Sequence, residues 1–177
     1  GINAFDYCSS LTSANFPVCT SIGDWAFGYC SSLVDVNFPV CTSIGINAFD
    51  YCSSLSNISF PACTSIGDYA FGYCSSLTSV NFPVCTSVGN RAFGYCSSLT
   101  SANFPACTSI GKSAFQNCSF LVSLYFTGSS VPSIASNTFS GIPSTATFYV
   151  ASSMVDAFKS ATYWSAFASQ IVAYEGE

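Results

Sequence analysis

The sequence predicts an α/β-type solenoid: a right-handed superhelix of stacked 22-residue coils with one parallel β-sheet and a short C-terminal helical cap. Three observations predict it. A glycine recurs at Gly1, Gly23, Gly45, Gly67, Gly89 and Gly111, always 22 residues apart, and the residues between align without a gap through residue 110. Each unit follows the template G-x-x-A-F-x-x-C-S-S-L-x-x-x-x-F-P-x-C-T-S-I. Cysteine recurs every eleven residues because each unit contains two echoing halves, such as Phe71-x-x-Cys74-x-x-Leu77 and Phe82-x-x-Cys85-x-x-Val88. A fixed period of this length marks a repeat architecture, in which a unit buries its apolar side chains only by stacking on its neighbours.

The elements of one coil follow in order. The first half, G-x-x-A-F-x-x-C, carries the chain around the outer side with Ala70, Phe71 and Cys74 turned inward, and Gly67 marks the turn, where a positive φ would be tolerated. A short strand then runs through Ser79 to Phe82 and pairs in parallel with its equivalents. By two-residue alternation Leu77, Val80 and Phe82 face the core while Ser79 and Asn81 face out. Pro83 ends the strand, since it lacks an N–H for the ladder. Units one and three share GINAFDYC, and units two and four share GD[WY]AFGYC, so a 44-residue block is duplicated.

Residues 1–132 hold six repeats, beginning at residues 1, 23, 45, 67, 89 and 111, and residues 133–177 form a degenerate seventh repeat plus a cap. In the seventh, Phe139, Ile142, Phe148 and Val150 take the inward positions. Ser153 through about Ala161 reads as a short helix, with Ser153 as N-cap and Asp156 completing a capping box. Trp164, Phe167 and Ile171 are expected to cover the open end of the core. The chain opens at Gly1 in register with a repeat, which suggests a fragment whose targeting segment lies outside it.

The 22-residue period and the pattern L-x-x-L-x-L-x-x-[NC]-x-x-L, filled by Leu33, Val36, Phe38, Cys41 and Ile44, are those of a leucine-rich repeat. The run IGDWAFGYCSSLVDVNFP resembles the BspA-like leucine-rich repeat family of bacterial cell-surface proteins, over six copies to about residue 126. The resemblance implies a surface or extracellular module for adhesion, with a host matrix protein, a cell-surface protein or a glycan as partner. Family units commonly carry one more residue after the proline and rarely place cysteine there, so Cys19, Cys41, Cys63, Cys85 and Cys107 depart from the pattern.

Composition narrows the chemistry. Charged residues make up 6% of the 177 residues, the net charge is −5, and Arg91, Lys112 and Lys159 are the three cations. No basic stripe exists to neutralise phosphates, which argues against nucleic acid. No apolar run reaches the ~20 residues of a membrane helix, so no membrane insertion is expected. Without histidine the chain lacks the usual base for a cysteine nucleophile and the usual partner of cysteine in a metal site; no enzyme activity, metal or cofactor is expected. Stacked cysteines such as Cys30 and Cys52 would lie ~5 Å apart, within bridging range, but their Cβ vectors should run parallel rather than converge. The odd count of eleven and the buried habit of free cysteine favour reduced packing columns over disulfides.

Two surfaces are candidates for binding. The outward positions of the sheet hold Asp35, Asn37, Asn57, Asn81, Asn103 and Tyr125, on the face that repeat arrays use for ligands. The outer side holds an aromatic strip of Trp25, Tyr29, Tyr51, Tyr69, Tyr73 and Tyr95, suited to sugars or a protein, or else packed along the wall with only the hydroxyls wet. A different reading of the chain is a structural spacer that projects another domain and has no ligand of its own; near-identity of the units favours it.

Overall fold

The computed structural model describes residues 1–176; Glu177, the last residue of the stretch assigned to the cap, lies outside the described residues. The strands, in chain order, are β1 (Ser13–Asn15), β2 (Ser21–Ile22), β3 (Asp35–Asn37), β4 (Ser43–Ile44), β5 (Asn57–Ser59), β6 (Ser65–Ile66), β7 (Ser79–Asn81), β8 (Ser87–Val88), β9 (Ser101–Asn103), β10 (Ser109–Ile110), β11 (Ser123–Phe126), β12 (Thr147–Ala151) and β13 (Ile171–Tyr174). Every pairing is parallel, and through β11 the register advances by 22 residues, as in Ser79↔Ser101 and Ser101↔Ser123. In β7 the outer residues are exposed and Val80 is buried, as alternation requires.

The single sheet expected from sequence is supplemented and divided. The Thr-Ser-Ile segment after each proline turn is extended enough to pair with its neighbours, so β2, β4, β6, β8 and β10 build a second ladder. Along the principal wall, β1, β3 and β5 form one sheet and β7, β9, β11, β12 and β13 another. The break coincides with coil three, where Asn57-Ile58-Ser59 replaces the Asp-Val-Asn and Ser-Val-Asn of its neighbours. There Ile58 is only half-buried, and the Phe60–Phe82 ring separation is 6.1 Å against 5.4 Å for Phe38–Phe60.

Two columns of phenylalanine fill the interior. One runs Phe5, Phe27, Phe49, Phe71, Phe93, Phe115 and Phe139, with successive centroids 5.0 to 5.5 Å apart. The second, from Phe16 to Phe104, meets the first in tilted or edge-on contacts, as at Phe71–Phe82, 6.0 Å and 56°. Leucines and cysteines complete each layer: Leu77, Cys74 and Cys85 are fully buried. The outer side is held coil to coil by backbone bonds such as Phe49 N–H to the Ala70 carbonyl at 2.8 Å and Tyr51 N–H to that of Gly72 at 2.9 Å.

The repeat glycines have a different job from the one their sequence position suggests. None of them has a positive φ; the left-handed residues are the third and seventh of each unit, for example Tyr69 (φ 56°) and Tyr73 (φ 56°). What the glycine provides is closeness: a Cβ on Gly67 would lie 2.7 Å from the carbonyl carbon of Gly45 and 2.8 Å from the nitrogen of Ile46. The coils touch backbone to backbone there, and a side chain would force them apart.

At the C-terminal end, α1 (Val155–Ser160) is preceded by a 3-10 turn over Ser152–Met154. The capping box does not form, because the turn runs straight into the helix and puts Met154, not Ser153, at the cap, with no side-chain bond. Phe139, Phe148, Val150, Trp164 and Ile171 are buried, with Ile142 and Phe167 packed beside them. The Trp164 indole donates to the Pro132 carbonyl at 2.7 Å, and its ring lies 4.9 Å from Phe158 and 5.4 Å from Phe148. Strand β13 extends the principal wall by one more position, paired Phe148↔Ile171.

Candidate functional site

The outward residues of the principal wall line two shallow grooves, one on each side of the break. Asp35, Asn37 and Asn57 line the first, of about 330 Å³, together with Ser13, Asn15 and Ser59. Asn81, Asn103 and Tyr125 line the second, of about 350 Å³, with Ser79, Ser101 and Tyr174. All six predicted sheet-face residues therefore point outward, but they divide into two sets. Within each set the asparagines pair across 22 residues, Asn37 Nδ2 to Asn15 Oδ1 at 3.1 Å and Asn103 Nδ2 to Asn81 Oδ1 at 2.9 Å.

The second groove ends in a tyrosine cluster that was only partly legible. Tyr125 stacks on Tyr149 at 4.9 Å and 12°, and Tyr174 meets them edge-on at 5.7 and 6.3 Å. Tyr149 was within reach of sequence reasoning, since Phe148 and Val150 had been placed inward and the residue between them must then face out. Tyr174 carried no comparable signal, because IVAY departs from the repeat template and becomes a strand only by pairing with β12.

The aromatic strip resolves into two unlike parts. Tyr7, Tyr29, Tyr51, Tyr73 and Tyr95 form an unbroken column with centroids 4.4 to 4.9 Å apart and planes within 7° of parallel. Tyr29, Tyr51 and Tyr73 are covered on both faces, so solvent meets their edges and hydroxyls, and only the end rings Tyr7 and Tyr95 keep a face with no tyrosine against it. Trp25 and Tyr69 are separated by Asn47 in the intervening coil and make no strip together. Trp25 stacks toward Tyr29 at 6.1 Å, while Arg91 donates to the Tyr69 hydroxyl at 2.9 Å and lies 5.5 Å from its ring centre.

The interior holds little reactive chemistry. Every cysteine is free, and nine of the eleven are buried, leaving Cys8 exposed and Cys19 half-buried. Burial pushes the thiols up, Cys30 to about 11 and Cys85 to about 12, and Cys74 well above its ordinary value. A thiol held protonated is a poor nucleophile and a poor metal ligand. Among the described residues no three His, Cys, Asp or Glu side chains are grouped to hold a metal ion, and no helix is long and apolar enough to cross a membrane.

One ionisable group is misplaced for its charge. Asp50 is 5% exposed, its Oδ1 has no hydrogen-bond partner among the described residues, and burial raises its carboxyl to about 7. It fits because the next coil has Gly72, whose Cβ would stand 2.5 Å from that oxygen; Asp6 uses Gly28 the same way. This matching of aspartate to glycine in alternate coils is a physical reason for the 44-residue block.

A parallel wall, an interior of repeated Leu, Phe and Cys and an outward polar face define a leucine-rich repeat protein. The chain matches the BspA type leucine rich repeat region, in six copies, over residues 1–121 and 42–166, and it belongs to that family. Among solved structures it is similar to a leucine-rich repeat protein of T. pallidum, TpLRR, at 31% identity and a TM-score of 0.62, covering 64% of this chain and 57% of that one. It is also similar to a leucine-rich repeat protein from Bacteroides ovatus, at 26% identity and a TM-score of 0.67, covering 85% of this chain and 42% of that one. The chain thus spans about half the length of these structures. No curated protein matches it.

Proposed function

We propose that this chain is a non-enzymatic binding module at the cell surface or in the extracellular space, which engages a protein or glycan through the sheet face. The observation that carries the reading is the outward polar row itself: side chains with free hydrogen-bonding capacity, arranged in two grooves on a parallel wall and ending in clustered tyrosines. Tyrosine is among the residues that dominate interface energetics, while asparagine and serine supply adaptable hydrogen bonds. Membership of the BspA-type family supports the surface setting, because that family is generally surface-associated.

The spacer reading is favoured by a specific observation of its own, the pairing of asparagines with one another along the wall, which satisfies part of the polar face internally. Binding of the purified chain to an array of matrix proteins and glycans, with an unrelated repeat protein as control, separates the two. Retention above control on any component supports the module; none leaves the spacer.

A further inference from the structure

The groove at the C-terminal end of the sheet face has a narrower chemistry than the rest of the surface. Resting on the binding-module reading, we propose that it is a subsite for a neutral polysaccharide, with a sugar ring stacked on the open face of Tyr125 and its hydroxyls held by Asn103 and Asn81.

Three features carry this. First, Tyr125 has one covered face and one open face. Tyr149 stacks on the first at 4.9 Å, Tyr174 closes the edge at 5.7 Å and 86°, and the register neighbour on the other side is Asn103. Asparagine is much shorter than tyrosine, and the Asn103 amide is turned toward Asn81, so the outer part of the ring stands clear above it. In the column from Tyr7 to Tyr95 each inner ring, such as Tyr51, is sandwiched between its neighbours.

Second, the amide pair is only half used. With Asn103 Nδ2 donating to Asn81 Oδ1 at 2.9 Å, Asn103 keeps its oxygen as an acceptor and Asn81 keeps its Nδ2 as a donor. A sugar presents an apolar C–H face ringed by hydroxyls that donate and accept. An aromatic face, electron-rich above its plane, beside a donor and an acceptor matches that pattern.

Third, the lining is uncharged. Ser79, Asn81, Ser101, Asn103, Tyr125 and Tyr174 carry no formal charge, and the nearest ionic residue in sequence is the acidic Glu175. An anionic polysaccharide would meet no cation here, and a charged protein epitope would lose hydration without a partner.

The test uses affinity gel electrophoresis and titration calorimetry with laminarin, yeast mannan and dextran as neutral probes, and heparin and polygalacturonate as anionic ones. The variants are Tyr125→Asn, Asn103→Ala and, as a control, Tyr51→Ala. Tyr125→Asn installs the residue that coils four and five already carry at this position, so it keeps the fold; thermal melting verifies this. The expected result is retardation by at least one neutral polysaccharide, weakened at least 10-fold by Tyr125→Asn and several-fold by Asn103→Ala, and unchanged by Tyr51→Ala. Binding confined to the anionic probes, or neutral binding that Tyr125→Asn leaves intact, overturns the proposal. If no neutral probe binds while the chain is still retained on immobilised fibronectin, collagen or laminin, the subsite is wrong and the module reading stands. If nothing binds at all, both fall.

Discussion

The Cys74 thiol donates to the carbonyl oxygen of Phe49, one coil earlier, at 3.2 Å. The same bond recurs from Cys52 to Phe27 at 3.1 Å and from Cys96 to Phe71 at 3.1 Å, so this column of cysteines ties successive coils together. The other column bonds within its own coil, as Cys85 donates to the Ser87 carbonyl at 3.3 Å, and Cys107 adds a longer contact to the Thr86 carbonyl of the preceding coil at 3.7 Å. Cysteine meets both needs as a small apolar side chain with one weak donor, a combination that valine lacks and that asparagine provides only with more polar surface to bury.

Thiol accessibility follows from this packing. With a thiol reagent at pH 8, Cys8 should react promptly, Cys19 more slowly, and the nine buried cysteines only after unfolding, for a total of eleven. A total well short of eleven in denaturant without reductant would show disulfides in place of hydrogen-bonded thiols.

Gly67→Ala should be costly because its Cβ meets the backbone of the preceding coil, at 2.7 Å from the Gly45 carbonyl carbon, and backbone cannot swing aside. A loss of about 1–3 kcal/mol or more is expected from such overpacking, read as a lower denaturant midpoint. Gly94→Ala is the matched control. Its Cβ would approach only Arg91 of its own coil, at 3.3 Å or more, and the change should stay within about 1 kcal/mol.

Asp50 gives stability a pH dependence of definite sign. Its carboxyl is raised from 3.8 to about 7 in the folded chain, so the folded state favours the protonated form. The contribution is full below about pH 4 and is lost as pH rises through about 7, with an upper bound of about 4 kcal/mol. Urea unfolding should therefore give a lower midpoint at pH 8 than at pH 5. Asp50→Asn should flatten that difference and be the more stable protein at pH 8.

How much of this was legible in the sequence depended on what each residue touches. The strands could be read because the Leu-x-x-Val-x-Phe spacing fixes which side chains enter the core, and Val80 and Phe82 do so. The role of Gly67 was misread, since the local turn argument concerns φ while the real constraint is a backbone one coil away. Ser153 failed as a cap for a similar reason: its motif is sound locally, but the 3-10 turn ahead of the helix displaces it. At the candidate site, Asn81, Asn103 and Tyr125 were found by alternation, whereas Tyr174 depends on a strand that exists only through its pairing with β12. The tyrosine column was recognised as a column, but only its ring spacing shows that its inner faces are closed.

The most direct test of the account is to place charge on each surface in turn and measure binding to whichever matrix protein or glycan retains the chain on the array. The paired change Asn81→Lys with Asn103→Lys puts two cations on the sheet face, and Tyr51→Lys puts one in the tyrosine column. The expected result is at least a 10-fold loss of affinity from the sheet-face pair and none from the column variant, with both proteins folded. Loss from Tyr51→Lys with binding intact in the sheet-face pair would contradict it and move the binding surface to the outer side.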